Sequence, residues 1–245
     1  MQSGRSKLGL VIPTLNEAGN IPALLNRLQR ALEDVKLDYE LIVVDDDSQD
    51  GTAQLVQAYA RNDPRVRLLM RKGERGLAGA VIDGWKHTDA DVLGVIDADL
   101  QHPPEVLPTL LEAIFEGNDI VIASRYTGLN HDSVSDWSKV RHFISRCSTW
   151  ATAPLQRRGV RVTDPMSGYF VVRRECIEGL NLQPKGFKIL LEILVKGHLR
   201  KAAEVPFRFA TRHAGESKAD LKVAIDYVSL LGKLSRYAIF GPEQR

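Results

Sequence analysis

The chain has 245 residues, 44% of them hydrophobic and 26% charged, with a formal net charge of +2 at pH 7. These values suit a globular domain with a sizeable core, and so mild a charge gives no indication of nucleic-acid binding. The N-terminal apolar run is too short for a signal peptide, and no segment reaches the ~18 continuous apolar residues of a spanning helix. The two cysteines, Cys147 and Cys176, match no disulfide framework or metal spacing, which predicts a reducing, cytoplasmic environment.

The first half of the chain alternates short β-branched runs with helical patterns. Strands are predicted at 8–12, 40–44, 66–70, 92–96 and 119–124. Helical periodicity fills the intervals at 20–34, 51–61, 76–88 and 104–116. This β-α order predicts a doubly wound, Rossmann-like α/β domain with a mostly parallel sheet, whose ligands bind beyond the carboxyl ends of the strands.

The pattern changes after about residue 125, where a polar loop is predicted over 126–138. Beyond it we predict a basic, partly apolar helix, then a strand, a helix and a strand, at 139–155, 168–174, 187–197 and 202–209. The segment 221–240 has the pattern of an amphipathic helix. It either packs on the core or, together with 139–155, lies in the interface of an anionic membrane.

Polar residues follow three of the predicted strands. Pro13, Asn16 and Glu17 come after the first strand, and Asp45 to Asp47 and the pair Asp97 and Asp99 come after the second and fourth. Carboxyl ends of parallel strands share one edge of a sheet, so we expect these side chains to converge on one crevice.

Asp97 and Asp99 predict a cation site. Two carboxylates this close repel each other unless a positive group lies nearby, and a Mg²⁺ or Mn²⁺ ion bridging a diphosphate would supply one. Gln101 can add a neutral oxygen. The alternative is a helix cap followed by the turn at Pro103, but that leaves Asp97 unexplained.

Two further loops admit both a functional and a structural interpretation. Asp45 and Asp46 either accept hydrogen bonds from a base or ribose or form a solvated turn. Arg212 and Lys218, on the loop 212–218, either close over a diphosphate or are simply solvated. The glycines of 73–80 are spaced as G-x-x-G-x-x-G, so they do not form a dinucleotide fingerprint.

Several blocks of residues together resemble a known family. They are Pro13–Glu17, Asp45–Thr52, Asp97–Glu105, Ser124–Tyr126, Asp164–Phe170 and Ala214–Lys218. In this combination and order, over residues 8 to about 220, they are similar to the polyprenol-phosphate (dolichol-phosphate) mannosyltransferases, within the inverting family 2 of glycosyltransferases. The resemblance implies a GT-A fold and transfer of mannose from GDP-mannose to a polyprenyl phosphate, giving a β-linked product.

The resemblance also implies site residues. The nucleotide sugar would be bound by Pro13, Leu15, Glu17, Val44, Asp46, Asp97, Ala98, Asp99, Gln101, Arg212 and Lys218. The metal, Mg²⁺ or Mn²⁺, would be held by Asp97, Asp99 and Gln101, and the acceptor phosphate by Arg125, Arg141 and Ser145. The expected catalytic residues are Asp97, Asp99, Arg125 and Asp164, with Asp164 touching the sugar or the attacking phosphate. Leu15 and Asp47 depart from the family, which commonly has Tyr and a small residue there.

We therefore expect a catalytic domain over 1–220, with a nucleotide-sugar half over about 1–125 and an acceptor half over about 126–220, followed by an amphipathic segment over 221–245. The expected partners are GDP-mannose and a polyprenyl or dolichyl phosphate at the cytoplasmic side of a membrane, with no nucleic acid. An anchoring segment or subunit outside this chain is also expected. Alternatives are hexosyl transfer from a UDP-sugar, a metal-dependent phosphohydrolase and a silent nucleotide-sugar sensor.

Overall fold

The computed structural model describes residues 6–73, 75–127, 152–156, 160–182, 189–208 and 231–237. Its strands are β1 Lys7–Thr14, β2 Asp38–Asp45, β3 Val66–Met70, β4 Val92–Val95, β5 Ile120–Ser124, β6 Phe170–Arg173 and β7 Ala202–Pro206. Its α-helices include α1 Ile21–Ala31, α2 Thr52–Asn62, α3 Leu77–Lys86, α4 Leu107–Phe115 and α5 Ile189–Lys196. Short 3₁₀ helices cover Pro104–Val106, Ala153–Leu155 and Arg174–Cys176. The predicted strands and helices within these ranges are confirmed, with shifted ends.

The strands form one sheet in the order β3-β2-β1-β4-β6-β5-β7. β1 pairs in parallel with both β2 and β4, β2 with β3, and β5 with β7. Only β6, among the described strands, runs against its neighbours, pairing antiparallel with β4 and with β5. The predicted α/β class with a mostly parallel sheet is confirmed. Strands from both predicted halves of the chain join this sheet, while the division into halves remains a prediction.

Helices cover both faces of the sheet, which is why strands such as β4 are buried along their whole length. On one face, α1, α2 and α4 bury their apolar stripes against alternate side chains of β1 and β2. On the other face, α3 and α5 pack against the remaining alternate side chains. The sheet is therefore held rigidly in the middle of the molecule, and the loops at its edges project from a fixed platform.

Helix α1 shows how the sequence determines a local element. Pro22 lies in the first turn, where its missing N–H removes no helical hydrogen bond. Leu24, Leu25 and Leu28 then form a fully buried stripe along one side of the helix. The helix consequently packs flat on the sheet and orients the loop that connects it to β1.

Within the predicted amphipathic segment, residues 231–237 are helical. Leu234 is 1% exposed and packs against Leu191 and Val195 of α5. Lys233 and Arg236 are exposed. This part of the segment thus contacts the folded domain, while the rest of 221–240 lies outside the described residues. None of the described helices combines the length and apolar character needed to cross a bilayer.

Candidate active site

Three loops at the carboxyl ends of β1, β2 and β4 contain unusual backbone conformations. The non-glycine residues with positive φ in the described part of the chain are Asn16, Asp47 and Leu100, at 57°, 62° and 61°. Such conformations are uncommon outside glycine and concentrate at sites where the surrounding structure enforces them. Their coincidence at one edge of the sheet makes this edge the candidate functional site.

The loops after β1 and β2 are joined by hydrogen bonds. The Asn16 N–H donates to Ser48 Oγ over 2.7 Å, and Asn16 Oδ1 accepts from the backbone of Gln49 over 3.0 Å. The Ala18 N–H donates to Asp50 Oδ2 over 2.9 Å. These bonds hold the two loops as one wall of the crevice, as the predicted convergence requires.

Asp45 and Asp46, at the end of β2, are buried, so the solvated-turn interpretation is wrong for these two residues. Asp45 is fully buried and accepts from Thr14 Oγ1 over 2.9 Å and from Ser48 Oγ over 2.6 Å. Asp46 is 5% exposed and accepts from Arg71 Nη1 over 2.7 Å and from the Gly76 N–H over 2.8 Å. Burial raises the pKa of the Asp46 carboxyl, and the bonds from Gly76 and Arg71 only partly offset this effect.

Arg71 was not identified from the sequence, although it follows β3 directly. Its side chain is 8% exposed and lies between Asp46 and Asp83, with Nε 3.0 Å from Asp83 Oδ2. Gly76, which closes this loop, has a φ of 138°, a conformation that favours glycine. Arg71 thus orients the carboxylate of Asp46, which is predicted to contact the nucleotide.

The other residues expected to bind the nucleotide differ in how far their side chains are buried. Pro13, Leu15 and Glu17 are half-buried at the end of β1. The Glu17 N–H donates to Thr52 Oγ1 over 3.0 Å, which ties it to the start of α2. Val44 is fully buried and packs in the core on the α3 side of the sheet, so its side chain is part of the core and cannot contact a nucleotide as predicted.

The predicted metal ligands follow β4 at the same edge. Asp97, Asp99 and Gln101 are all half-buried, whereas Ala98 between them is 4% exposed. Asp99 Oδ1 accepts from the Gln101 N–H over 3.1 Å, which fixes the turn. Among the described residues, no three or more His, Cys, Asp or Glu side chains are grouped so that they could hold a metal ion by themselves. Two carboxylates and an amide instead fit an ion that takes its remaining ligands from a diphosphate.

His102, which the sequence analysis did not single out, is buried beside the predicted metal site. It is 4% exposed, its Nδ1 lies 3.7 Å from Asp97 Oδ2, and its ring contacts Tyr169 and Phe207 at centroid distances of 5.8 and 5.3 Å. It therefore lies between Asp97 and two aromatic rings. Its position three residues after Asp99 was the available signal.

Arg125 and Asp164 form a bidentate ion pair at the site. Arg125 Nε and Nη2 each donate to one Asp164 oxygen over 2.7 Å, and the Arg125 N–H donates to Oδ2 over 3.1 Å. Asp164 is fully buried, and the Arg125 side chain is 12% exposed. Although burial opposes it, the charges of Asp164 and, more weakly, of Asp97 raise the pKa of Arg125. The guanidinium is thus fixed next to the carboxyl end of β5.

Glu204 of β7 anchors this pair and was also missed from the sequence. Its carboxylate accepts from the Thr163 N–H over 2.8 Å, from Thr163 Oγ1 over 2.9 Å and from the Asp164 N–H over 3.0 Å. Such charge-assisted bonds to backbone donors fix the chain before β6. The Arg125 guanidinium is therefore held by a chain of contacts that reaches the edge strand of the sheet.

Four residues of the prediction cannot be placed against this site. Arg141, Ser145, Arg212 and Lys218 lie outside the described residues. The remaining predicted residues fall into two groups at the same edge of the sheet. One group lies around the ends of β1, β2 and β4, and the other lies around Arg125. The first group was predicted to bind the nucleotide sugar and the metal, and the second to bind the acceptor phosphate.

Known proteins of similar sequence include several mannosyltransferases. The chain is 43% identical over 231 residues to the dolichol-phosphate mannosyltransferase of Pyrococcus furiosus, covering 94% of this chain and 64% of that protein. It is 37% identical to the protein of the same name from Saccharomyces cerevisiae, covering 92% of this chain and 85% of the relative. It is 34% identical to the undecaprenyl-phosphate mannosyltransferase of Micrococcus luteus, covering 85% of each. The chain thus spans just under two thirds of the first relative's length.

Solved structures and family models extend the comparison. Glucosyl-3-phosphoglycerate synthase from Mycobacterium tuberculosis, in complex with Mn²⁺ and UDP-glucose, superposes with a TM-score of 0.67 at 20% identity, covering 99% of this chain and 82% of that one. This likeness confirms the expected GT-A-like fold. The model of glycosyl transferase family 2 matches residues 10–180. The chain therefore belongs to glycosyl transferase family 2, and the prediction of a glycosyltransferase is confirmed.

Proposed function

We propose that this protein transfers mannose from GDP-mannose to a polyprenyl phosphate, with inversion at the anomeric carbon. The single observation that supports it most is the segment 164–168, in which Asp164 holds Arg125 and Gly168 lies against Asp97. In this proposal a nucleotide-sugar site and an anion site are therefore adjacent. The names of the relatives from P. furiosus, S. cerevisiae and M. luteus support mannose as the sugar and a lipid phosphate as the acceptor.

On the donor side, Asp97, Asp99 and Gln101 would hold Mg²⁺ or Mn²⁺. The Mn²⁺ in the glucosyl-3-phosphoglycerate synthase complex supports a divalent ion in this fold. When bound, such an ion neutralises charge that develops on the leaving diphosphate. Asp46 would accept from the base or ribose, and its orientation by Arg71 and the Gly76 N–H suits this role. Pro13, Leu15, Glu17 and the backbone of Val44 would complete the nucleotide site, together with Arg212 and Lys218.

On the acceptor side, Arg125 would bind the lipid phosphate together with Arg141 and Ser145. A phosphate monoester with a second pKa near 6 is largely dianionic at pH 7, so it needs no general base. A phosphate oxygen attacks the anomeric carbon as the bond to the diphosphate oxygen breaks, and the bonding electron pair leaves with GDP. Attack from the face opposite the leaving group turns an α-linked donor into a β-linked product.

Asp164 acts in this proposal through Arg125. Both of its carboxylate oxygens accept from the Arg125 side chain, and the carboxylate is fully buried. The earlier hypothesis gave Asp164 a contact with the sugar or the attacking phosphate. The geometry supports a positioning role instead, because a rigid guanidinium would meet the phosphate in one orientation.

The lipid tail of the acceptor places the reaction at a membrane surface. We propose a peripheral position on the cytoplasmic side. The segment 221–240 remains the candidate interfacial helix, although its residues 231–237 contact α5. An anchoring segment or subunit outside this chain would serve the same purpose.

The experiment combines the protein with either GDP-mannose or UDP-glucose, each labelled in the sugar, and a short polyprenyl phosphate, with and without Mn²⁺. We expect lipid-extractable label from GDP-mannose in the presence of Mn²⁺, and its loss in Asp99→Ala. Lipid label from UDP-glucose alone would replace mannose by glucose in the proposal. Release of free sugar or sugar phosphate without lipid would indicate a hydrolase, and tight donor binding without any turnover would indicate a sensor.

A further inference from the structure

A close contact joins the chain before β6 to the predicted metal site. A Cβ atom built on Gly168 lies 2.2 Å from Asp97 Oδ2, 2.7 Å from Cγ and 2.9 Å from Oδ1. All three distances are below any ordinary contact of a real Cβ atom. The Asp97 carboxylate therefore occupies the space that any other residue at 168 would need.

The sheet register explains why these two residues meet. Val95 of β4 pairs with Phe170 of antiparallel β6. Continuing that register two residues beyond the strands brings Asp97 opposite Gly168. On the other side of β6, the Ala123 N–H donates to the Tyr169 carbonyl over 3.0 Å. The 164–169 segment is thus held between the ends of β4 and β5, in the middle of the candidate site.

The backbone at Gly168 has little freedom to withdraw. Ser167 Oγ accepts from the Tyr169 N–H over 3.2 Å, and the Tyr169 side chain is fully buried against His102. The Asp97 side chain, in contrast, is 29% exposed at a strand end. An alanine at 168 would therefore displace the Asp97 carboxylate and leave the surrounding chain in place.

We infer that Gly168 is a positioning residue for the metal-binding carboxylate of Asp97, and that the 164–169 segment fixes Asp97 and Arg125 relative to each other. Its first residue, Asp164, holds the guanidinium, and Gly168 provides the space for the carboxylate. The inference rests on the proposed function for the role of Asp97. Its physical basis is space, since the φ of Gly168 is not positive and the added Cβ would overlap the Asp97 carboxylate.

The test compares Gly168→Ala with Gly232→Ala, a control at which an added Cβ meets nothing within 4 Å. Mn²⁺ binding is measured by electron paramagnetic resonance in the presence of GDP, and GDP binding alone by calorimetry. We expect Gly168→Ala to bind Mn²⁺ about 10- to 100-fold more weakly, as when supporting residues of metal ligands are changed. Its affinity for GDP without metal should stay within about twofold of the starting protein, because the base contacts lie elsewhere. Gly232→Ala should match the starting protein in both measurements.

Unchanged Mn²⁺ affinity in Gly168→Ala would overturn the inference. If that variant fails to fold, Asp97→Ala and the double variant Gly168→Ala/Asp97→Ala decide the question by urea denaturation. Removing the Asp97 side chain removes the clash, so the double variant should fold as well as Asp97→Ala. A double variant that remains unfolded would overturn the inference. A starting protein that binds no Mn²⁺ would contradict the proposed metal site itself, whereas the denaturation comparison needs neither metal nor substrate.

Discussion

Replacing Asp164 with Asn should weaken both the fold and the reaction. In the unchanged protein, Arg125 Nε and Nη2 each lie 2.7 Å from one Asp164 carboxylate oxygen. Asparagine has nearly the same volume, but its NH₂ group replaces one of these acceptor oxygens and faces a donor of Arg125. It also removes the counterion of a guanidinium whose side chain is only 12% exposed. Breaking a buried ion pair from one side costs about 3 kcal/mol or more. We expect a loss of about 3 kcal/mol in the free energy of unfolding.

Urea denaturation measures this loss, and steady-state transfer to polyprenyl phosphate measures the functional effect. A guanidinium that is no longer held should lower kcat/KM for the acceptor by about 10- to 100-fold, since small misplacements have effects of this size. Asp89→Asn is the matched control, because Asp89 pairs with Lys7 while its side chain is 84% exposed. Exposed pairs contribute little, so the control should retain full stability and activity. If Asp164→Asn behaves like this control in both assays, the positioning role is refuted.

Three further predictions concern the scaffold. The Arg65 guanidinium lowers the pKa of the Asp63 carboxyl to about 2, so this carboxylate stabilises the fold above its ordinary pKa and loses that effect as the pH falls toward 2. Asp63→Asn should therefore lower the denaturation midpoint of the protein at pH 7, and lower it progressively less below pH 4. A difference in midpoint between the two proteins that does not change with pH would contradict this prediction. Burial raises the pKa of the Cys176 thiol to about 11, so little reactive thiolate is present at pH 8. In the variant Cys147→Ser, in which Cys176 is the remaining cysteine, a thiol reagent at pH 8 should therefore react only as the protein unfolds. Rapid reaction of the native variant would contradict this prediction. Gly84→Ala would place a Cβ 2.6 Å from a methyl group of Val11 in β1. Calorimetry should show a net loss of about 1 to 2 kcal/mol in the free energy of unfolding, because the steric cost exceeds the gain in helix propensity. Unchanged stability would contradict this prediction.

The fold was largely predictable because its signals are local. Strands such as β4 are apolar on both faces, and α1 has its leucines at helical spacing, so burial could be anticipated without knowledge of long-range contacts. The placement of Asp97 and Asp99 at the end of β4 followed from the same pattern. The antiparallel direction of β6 did not, because the alternation of side chains is the same in either direction.

The contacts within the site were less predictable because they join distant parts of the chain. Arg125 and Asp164 were both expected in the site, but 39 residues separate them and no sequence pattern indicates that they pair. Arg71, which is buried, and Glu204, which is half-buried, were missed because a sequence does not distinguish charged side chains that are bonded within the protein from solvated ones. Val44 entered the prediction only through a family resemblance, which does not distinguish a backbone contact from a side-chain contact.

The reversed strand β6 has a consequence for how this family could diversify. If every strand of the sheet ran in the same direction, the chain would only leave the sheet at the edge that contains the candidate site. Because β6 is antiparallel and begins at that edge, residues 164–169 pass through the site before they enter the sheet. These residues are bonded to Arg125 and to Glu204 of β7. Changes in the length or chemistry of that segment would act on Arg125 and Asp97 together, so under the proposed function they would alter the acceptor site and the metal site at once.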